Sequence, residues 1–470
     1  MSKGVDRIYG ALPVWAQNAA ITAYGAYWRS RRLGGRYPGY VDEFCSRDRV
    51  SPGQMDAHVA AELRRILELA IGHVAYYREE WTSRGVTHGE IRRSNPIELL
   101  AELPLTGKDA VRQDPWAFVA RSQVGKRGMR QYLTSGSTGT PVTAIWNADD
   151  HRRFIAAREV RSFNWAGTSL LKPRSMIGGR LVVPKSQSGP PFHRYNAVER
   201  QVYLSAYHIS PGTVAEYVRV FERHRPEVLT GYAHSYFTLA RLMLEASLSL
   251  SYEPEALILS SEKTTTHMRE IMEKVFGAPV FEEYSCVENC VLATQCEEGR
   301  LHVSSDFGVV EILDEHDRPI PPGRDGRIIC TGLVNATQLL IRYEVGDTGR
   351  WATEPCPCGR SHLPVLEEIV GRLEDVVIGP DGREMVRFHG IFVGLPGVKE
   401  GQIVQLARDR IRVNVVADDS FGETEERTII GRLVERLGPV SVEVVRVPRI
   451  ERDARGKFRA VISHVSRFDS

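Results

Sequence analysis

Tyr132-Leu133-Thr134-Ser135-Gly136-Ser137-Thr138-Gly139-Thr140-Pro141-Val142-Thr143-Ala144-Ile145-Trp146 is the stretch on which the reading of this chain turns. Apolar Tyr132-Leu133 and the β-prone run from Thr143 to Trp146 frame a polar turn. Inside the turn, Gly136 and Gly139 let the backbone approach a bulky anion, while Thr134, Ser135, Ser137 and Thr138 supply hydroxyls and amides that can donate to phosphate oxygens. It is not a Walker A loop, because no Gly-Lys-Ser/Thr follows at the required spacing. Taken alone, such a turn is more often only a polar turn, so its meaning depends on what surrounds it.

Outward from this turn the chain alternates. A helical pattern covers Asp149 to Val160, a β-prone run covers Glu227 to Thr230, and a helix follows through Tyr236 to Leu248. That alternation predicts an α/β fold in which helices cover a largely buried sheet. From Val309 to Arg350 the pattern changes to closely spaced strands, VVEIL, GRIICTG and QLLIRYEV, separated by the turn sequence HDRPIPPGRDG. After Arg372, VVIG and REMVRF flank Pro380-Asp381-Gly382, and IRVNVVA, a helix from Thr424 to Leu437 and VSVEVVRV follow. The expected layout is a large N-terminal α/β domain over 1–371 with packed sheets and a β-rich subdomain at about 300–370, then a small α+β domain over 372–470.

Upstream, Met55, Val59, Leu63, Ile66, Leu67 and Ala70 recur at three- and four-residue steps, which predicts helix from about Ser51 to Arg84. Leu12 to Trp28 is apolar and rich in aromatics, and Arg29, Arg31 and Arg32 follow it. Such a helix either packs on its own domain, with the arginines matching its C-terminal dipole, or docks on a membrane surface.

The 470 residues suffice for a large core and several subdomains. With 61 Lys and Arg against 59 Asp and Glu, no charge excess calls for nucleic acid. No run of eighteen apolar residues predicts a transmembrane segment. No secretory signal pattern opens the sequence, and seven cysteines, most of them between Cys286 and Cys358, suit a reducing, cytoplasmic setting.

Five further motifs follow the turn in order: Ser260-Ser261-Glu262, Tyr284-Ser285-Cys286-Val287-Glu288, Tyr343-Glu344-Val345-Gly346-Asp347, Gly371-Arg372-Leu373-Glu374-Asp375 and Gly456-Lys457. Together they resemble the adenylate-forming superfamily, which includes acyl-CoA synthetases, luciferases and nonribosomal peptide adenylation domains. LSAYHISPGTVAEYVRVFERHRPEVLTGYAHSYFTLA, CPCGR and RGKFRAVIS narrow the resemblance to the phenylacetate-CoA ligase branch and its CapK-like relatives. It spans Tyr132 to Ser463 and is looser over the first hundred residues.

The resemblance implies an ATP-dependent, AMP-forming ligase that makes an acyl-adenylate from a small-molecule carboxylic acid. It implies that Thr134, Ser135, Gly136, Ser137, Thr138 and Gly139 cradle phosphates, and that Ser260, Ser261, Glu262 and Tyr284 border the adenine. Asp347 and Arg372 would meet the ribose hydroxyls, and Glu288 would hold Mg²⁺, a hard cation that prefers oxygen. Lys457 would bridge carboxylate and α-phosphate as charge builds between them. Glu374 would be the hinge about which a mobile C-terminal domain turns, and Tyr232, His234, Ser235 and Tyr236 would line the acyl pocket. Their aromatic and polar character suits an aromatic or polar acid better than a long fatty chain.

Two departures matter. Ser285 and Val287 replace the family's Gly and Thr/Ser beside Glu288, which leaves open a noncatalytic nucleotide-binding homologue. Val386-Arg387-Phe388-His389-Gly390-Ile391-Phe392 stands where CoA-using members carry Gly-x-Asn-x-(Phe/Tyr)-Pro, so the acceptor is open between CoA, an amine and a carrier-protein thiol. Self-association as a homodimer is also left open. Finally, Cys296 and His302 in C-x5-H and Cys356 and Cys358 in C-x-C flank the β-rich region, a set of thiolate and imidazole ligands suited to structural Zn²⁺. Cys286, Cys290 and His362 are the alternative ligands.

Overall fold

The computed structural model describes residues 9, 12–126, 128–134, 141–184, 187–370, 377–382, 384–385, 388–392, 395–451 and 460–465. Helices open the chain: α1 (Val14–Leu33), α2 (Tyr37–Ser46), α3 (Pro52–His73) and α4 (Ala75–Ser83). Ser51 starts α3 through a reciprocal cap with Gln54, and Pro52 at the first helical position fits there because its missing N–H has no intrahelical role. The stripe from Met55 to Ala70 is buried. The helix expected from Ser51 to Arg84 is broken at Val74, which is extended and buried. The break swings Tyr77 inward, where its hydroxyl donates to Leu339 O at 3.2 Å and accepts from Ile341 N at 2.8 Å.

A hairpin of β1 (Arg130–Leu133) and β2 (Thr143–Trp146) leads into α5 (Ala148–Arg158), capped by Asn147 and Asp150. Then follow β3 (Arg174–Gly178), β4 (His193–Asn196), β5 (Gln201–Ser205), α6 (Val214–His224), β6 (Val228–Tyr232), α7 (Ala233–Glu245), β7 (Ala256–Ser260), α8 (Thr266–Phe276) and β8 (Val280–Ser285). Next come β9 (Leu292–Gln295), β10 (Leu301–Val303), β11 (Gly308–Leu313), β12 (Gly326–Gly332), β13 (Tyr343–Trp351) and β14 (Val365–Val370). The strands from β3 to β14 join in one twelve-stranded sheet, in the order β11-β12-β13-β14-β10-β9-β8-β7-β6-β3-β5-β4. β5, β3, β6, β7 and β8 run parallel; the remaining pairings are antiparallel.

Why the parallel strands read as unbroken apolar runs is visible in their two faces. Leu229, Leu257 and Leu259 pack with Tyr217, Phe221, Tyr236 and Phe276 under α6, α7 and α8. Their neighbours Val228, Ala256 and Ile258 point the other way, against Tyr40, Phe44, Ile155 and Phe163 from the α2 and α5 side.

In the antiparallel half, the strand expected from Gln338 begins only at Tyr343. Arg342 has φ 46°, and its guanidinium pairs with Glu311 at 3.0 Å and donates to Ala101 O at 2.8 Å. Residues 338–342 therefore serve as a crossing segment, with Leu339 N bonded to Phe118 O rather than to a sheet neighbour.

The C-terminal region forms its own core. β15 (Val377–Ile378) and β16 (Glu384–Met385) flank the Gly382 turn, whose φ of 76° favours glycine. β17 (Val398–Ala407), β18 (Arg410–Ala417), α9 (Glu423–Leu437), β19 (Ser441–Arg446) and β20 (Val461–Ser463) give a four-stranded sheet in the order β19-β18-β17-β20, with α9 on it. Phe388, Ile391 and Phe392 belong to that core. Among the described residues, no helix is long and apolar enough to cross a membrane.

Candidate active site and candidate metal centre

From β3 the chain reaches β5 on one side and then crosses to β6 on the other. Such a reversal marks where open α/β sheets place their ligand crevice, beyond the carboxyl ends of the parallel strands. Tyr232, Ser260 and Glu283 stand level across the ends of β6, β7 and β8. At this position β6 and β3 approach closely at Gly231, whose φ is 138° and where a Cβ would lie 1.9 Å from Ile177 O. Opposite, a Cβ on Gly179 would lie 2.5 Å from Tyr232 Oη.

Ser261 leaves β7 with φ 77° and turns the chain so that Glu262 reaches the start of α7. There Glu262 Oε2 accepts from His234 N at 2.8 Å, a carboxylate at a helix N-terminus, where the dipole favours it. Glu262 thus ties β7 to α7, which the sequence reading missed. Of the four expected pocket residues, Tyr232 is partly exposed, while His234 and Ser235 are buried. Tyr236 is fully buried in the core with its hydroxyl 2.8 Å from Ser175 Oγ, so it supports the crevice from behind.

At the end of β8, Tyr284 donates its hydroxyl to Asp347 Oδ2 at 2.9 Å. Burial, and then the neighbouring Asp347 carboxylate, push the Tyr284 phenol far above its ordinary range, so it remains a donor. Asn289, with φ 60°, closes a turn that buries Glu288, and Tyr343 donates to Glu288 Oε1 at 2.9 Å. Burial and then Glu288 raise the Tyr343 phenol likewise. Both carboxylates are therefore oriented by tyrosines before any ligand arrives. Tyr343 opens the same motif that ends in Asp347, and that position was the signal for its role.

Thr134 N bonds Val142 O at 2.9 Å and Thr134 Oγ1 accepts from Val142 N at 2.8 Å, so this threonine closes the mouth of the β1–β2 hairpin. Ser135, Gly136, Ser137, Thr138 and Gly139, together with Arg372, Glu374 and Lys457, lie outside the described residues.

The Cys/His set is brought together from two loops. The β9–β10 turn, closed by Gly299 N to Cys296 O at 2.9 Å, places Cys296 beside His302 of β10. The loop before β14 supplies Cys356 and Cys358. The four ligand atoms lie within 4.8 Å of one another, with Cys296 Sγ 3.6 Å from Cys356 Sγ and Cys358 Sγ 3.4 Å from His302 Nε2. His302 Nδ1 lies 3.0 Å from Leu363 O, which keeps a proton on Nδ1 and turns the Nε2 lone pair toward the thiols. Burial lowers the His302 pKa and pushes the Cys296 thiol up to about 12, and it also raises Cys356. Three sulfurs and one imidazole nitrogen fit the donor set of a closed tetrahedral zinc site. The alternative ligands are used elsewhere: Cys286 and Cys290 sulfurs stand 3.3 Å apart, and His362 Nε2 lies 3.1 Å from Arg47 O.

A buried ion network holds this region to the helical layer. Asp306 pairs with Arg47 at 2.9 Å and Arg161 at 3.2 Å, Arg161 also pairs with Asp48, and Arg360 lies 4.3 Å over Trp165. Tyr207 donates to Gly179 O at 3.1 Å while Arg436 of α9 lies 5.3 Å over its ring, joining the segment after β3 to the C-terminal core.

Residues 377–464 match the CapK C-terminal domain family. The chain is 30% identical to Protein CapK of Staphylococcus aureus over 275 residues, which cover 58% of this chain and 59% of CapK, less than two thirds of that protein. It is 26% identical over 326 residues to the phenylacetate-coenzyme A ligase of Thermus thermophilus, covering 67% of this chain and 70% of the ligase. A 2-hydroxyisobutyryl-CoA ligase crystallised with 2-HIB-AMP and CoA shares the fold, with a TM-score of 0.59 at 21% identity over 89% of this chain and 91% of the other.

Proposed function

We propose that this chain, a relative of CapK and phenylacetate-CoA ligase with the fold of the adenylate-forming ligases, activates a carboxylic acid with ATP and passes the acyl group to an acceptor. The observation that carries the reading is the pair of tyrosine-oriented carboxylates, Asp347 with Tyr284 and Glu288 with Tyr343, beside the crevice at the strand ends.

In the first step a substrate carboxylate oxygen attacks the α-phosphorus of ATP. A new O–P bond forms, the bond to the bridging oxygen breaks, and pyrophosphate leaves with the electron pair. Two anions must meet, so positioning and cationic stabilisation are most of what the protein supplies. Asp347 accepts from the ribose hydroxyls, Tyr284 offers its ring to the adenine, and the amides of the 134–140 segment receive phosphate oxygens. Lys457 neutralises the charge that builds at the α-phosphate. Glu288 would hold Mg²⁺, which when bound adds cationic charge at the phosphates. Tyr232 and the start of α7 border the acid, and their polarity favours an aromatic or polar acid.

In the second step an acceptor nucleophile attacks the acyl carbon and AMP leaves. CoA thiol is the first choice, after the relatives, and an amine or a carrier-protein thiol is the alternative. Rotation of the C-terminal domain about Glu374 would withdraw Lys457 between the two steps. Cys296, His302, Cys356 and Cys358 would hold a structural Zn²⁺ that leaves no open position for substrate.

The test is a mixed carboxylic acid library supplied with ATP and Mg²⁺, followed by CoA or a panel of amines, with products read by intact mass. Acid-dependent AMP release together with a thioester mass supports the reading with CoA as acceptor. An amide mass reassigns the acceptor, and absence of any acid-dependent AMP overturns the function.

A further inference from the structure

The β1–β2 hairpin stands apart from the twelve-stranded sheet as a sheet of two strands. A lone pair of strands is marginal by itself, so its outer edge needs partners elsewhere. Thr134 N donates to Val142 O, so the backbone groups of residues 134 and 142 face each other. Facing and outward pairs alternate along an antiparallel ladder, and the register sets Leu133 against Thr143 and Gln131 against Ile145. Thr143 and Ile145 therefore turn their backbone groups away from β1. Ile145 is fully buried, so those groups must be paired by protein and not by bulk water.

Two buried side-chain amides stand where a third strand would lie. Gln338 Oε1 accepts from Ile145 N at 2.9 Å, and Gln338 Nε2 donates to Thr143 O and to Pro115 O, each at 3.1 Å. Asn335 Nδ2 donates to Ile145 O at 3.4 Å. A carboxamide offers a carbonyl acceptor and N–H donors, the same pairing groups as a peptide unit. The backbone that carries both amides is itself tied down. Asn335 Oδ1 accepts from Thr337 N at 3.0 Å and from Gln338 N at 3.2 Å, Ala336 N donates to Asp150 Oδ1 at 3.0 Å, and Ala120 N donates to Thr337 O at 2.9 Å. The same segment leads into β13, where Tyr343 holds Glu288 and Asp347 receives Tyr284.

We propose that Gln338 is a positioning residue for the phosphates of ATP, a role that rests on the adenylation reading. By pairing the outer edge of β2, its amide fixes the two strands that bound the 135–140 turn relative to the segment that ends in Tyr343 and Asp347. Phosphate recognition and nucleoside recognition are thereby set by one stretch of chain. The role also explains why residues 338–342 leave the strand expected there. Gln338 gives its side chain to β2 while its backbone bridges to Val119, and a regular strand in the large sheet could not do both.

The test compares binding of ATP, pyrophosphate and adenosine by the full chain and by Gln338→Met, which keeps the side-chain length and loses the amide, with hydrogen exchange followed at the Ile145 amide. Gln338→Met should weaken ATP and pyrophosphate by about tenfold, leave adenosine within about twofold, and speed exchange at Ile145. Asn335→Ala, which removes the longer bond to Ile145 O, should give the same split at a smaller fold-change and stands in where Gln338→Met does not fold. A folded variant that binds pyrophosphate as wild type does, or that loses ATP, pyrophosphate and adenosine alike, overturns the proposal while the adenylation reading stands. Wild type that binds neither ATP nor pyrophosphate overturns the adenylation reading, and this role with it.

Discussion

The carboxylate of Asp347 receives the Tyr284 hydroxyl at 2.9 Å, so substitution of either residue changes the other. Tyr284→Phe keeps the ring for stacking and removes one donor to a charged acceptor, worth about 1.5–3 kcal/mol. It should raise the KM for ATP by about tenfold with a smaller change in kcat. Asp347→Ala should do more and depress turnover as well, while pyrophosphate binding changes little; steady-state kinetics with each ligand check both. Asp306 is a different kind of residue. Burial alone would raise its pKa, but Arg161 and Arg47 outweigh burial and hold it below the usual carboxylate value. Its contribution to stability is therefore complete above about pH 4 and is lost as pH falls through its depressed folded value. Asp306→Asn should cost about 3–5 kcal/mol at neutral pH, because buried Arg161 and partly buried Arg47 lose their shared anion, and should flatten the acid limb of a stability-versus-pH curve measured by urea unfolding.

Elements carry these residues only if their backbones approach closely. Gly231→Ala would force a Cβ into Ile177 O at a positive φ and should destabilise by about 3 kcal/mol or more in urea unfolding. The β9–β10 turn and the loop before β14 carry the Cys/His set. Cys356→Ser should lower zinc content and melting temperature together while folded protein keeps most of its adenylation, and metal analysis of untagged wild type showing less than about a tenth of an equivalent refutes the site. Much at this scale was legible. The stripe from Met55 to Ala70, the β6 and β7 runs and the C-terminal strands all announce themselves through period and turn residues. Two boundaries were not legible, because tertiary contacts set them. Val74 breaks a helix so that Tyr77 can reach the 339–341 backbone, and Arg342 delays β13 by turning toward Glu311 and Ala101. The polar inner face of α1 was hidden for the same reason. Its partners on and just after β4 lie about 175 residues away, and local patterning carries no trace of such a pairing.

Across the whole molecule, three of the short motifs fall on strands of the one twelve-stranded sheet, and two of them touch. Ser260 ends β7, Tyr284 lies near the end of β8, and Asp347 lies in β13, where its carboxylate reaches Tyr284. What motif order could not reveal was the supporting layer: Tyr343 under Glu288, Glu262 on the start of α7, and Tyr207 between Gly179 and Arg436. These depend on side-chain direction in three dimensions. The acceptor stays open at this scale, since Phe388, Ile391 and Phe392 at the departing stretch fill the C-terminal core. Acid activation by ATP is read out by carboxylate-dependent exchange of labelled pyrophosphate into ATP, run on wild type and on Lys457→Ala. Wild type should show exchange that requires both Mg²⁺ and an acid from the aromatic or polar part of the panel, and Lys457→Ala a fall of about a thousandfold, near 4 kcal/mol of transition-state stabilisation, at an unchanged melting temperature. Exchange absent across the panel with ATP binding intact, or exchange undiminished in Lys457→Ala, would contradict this reading.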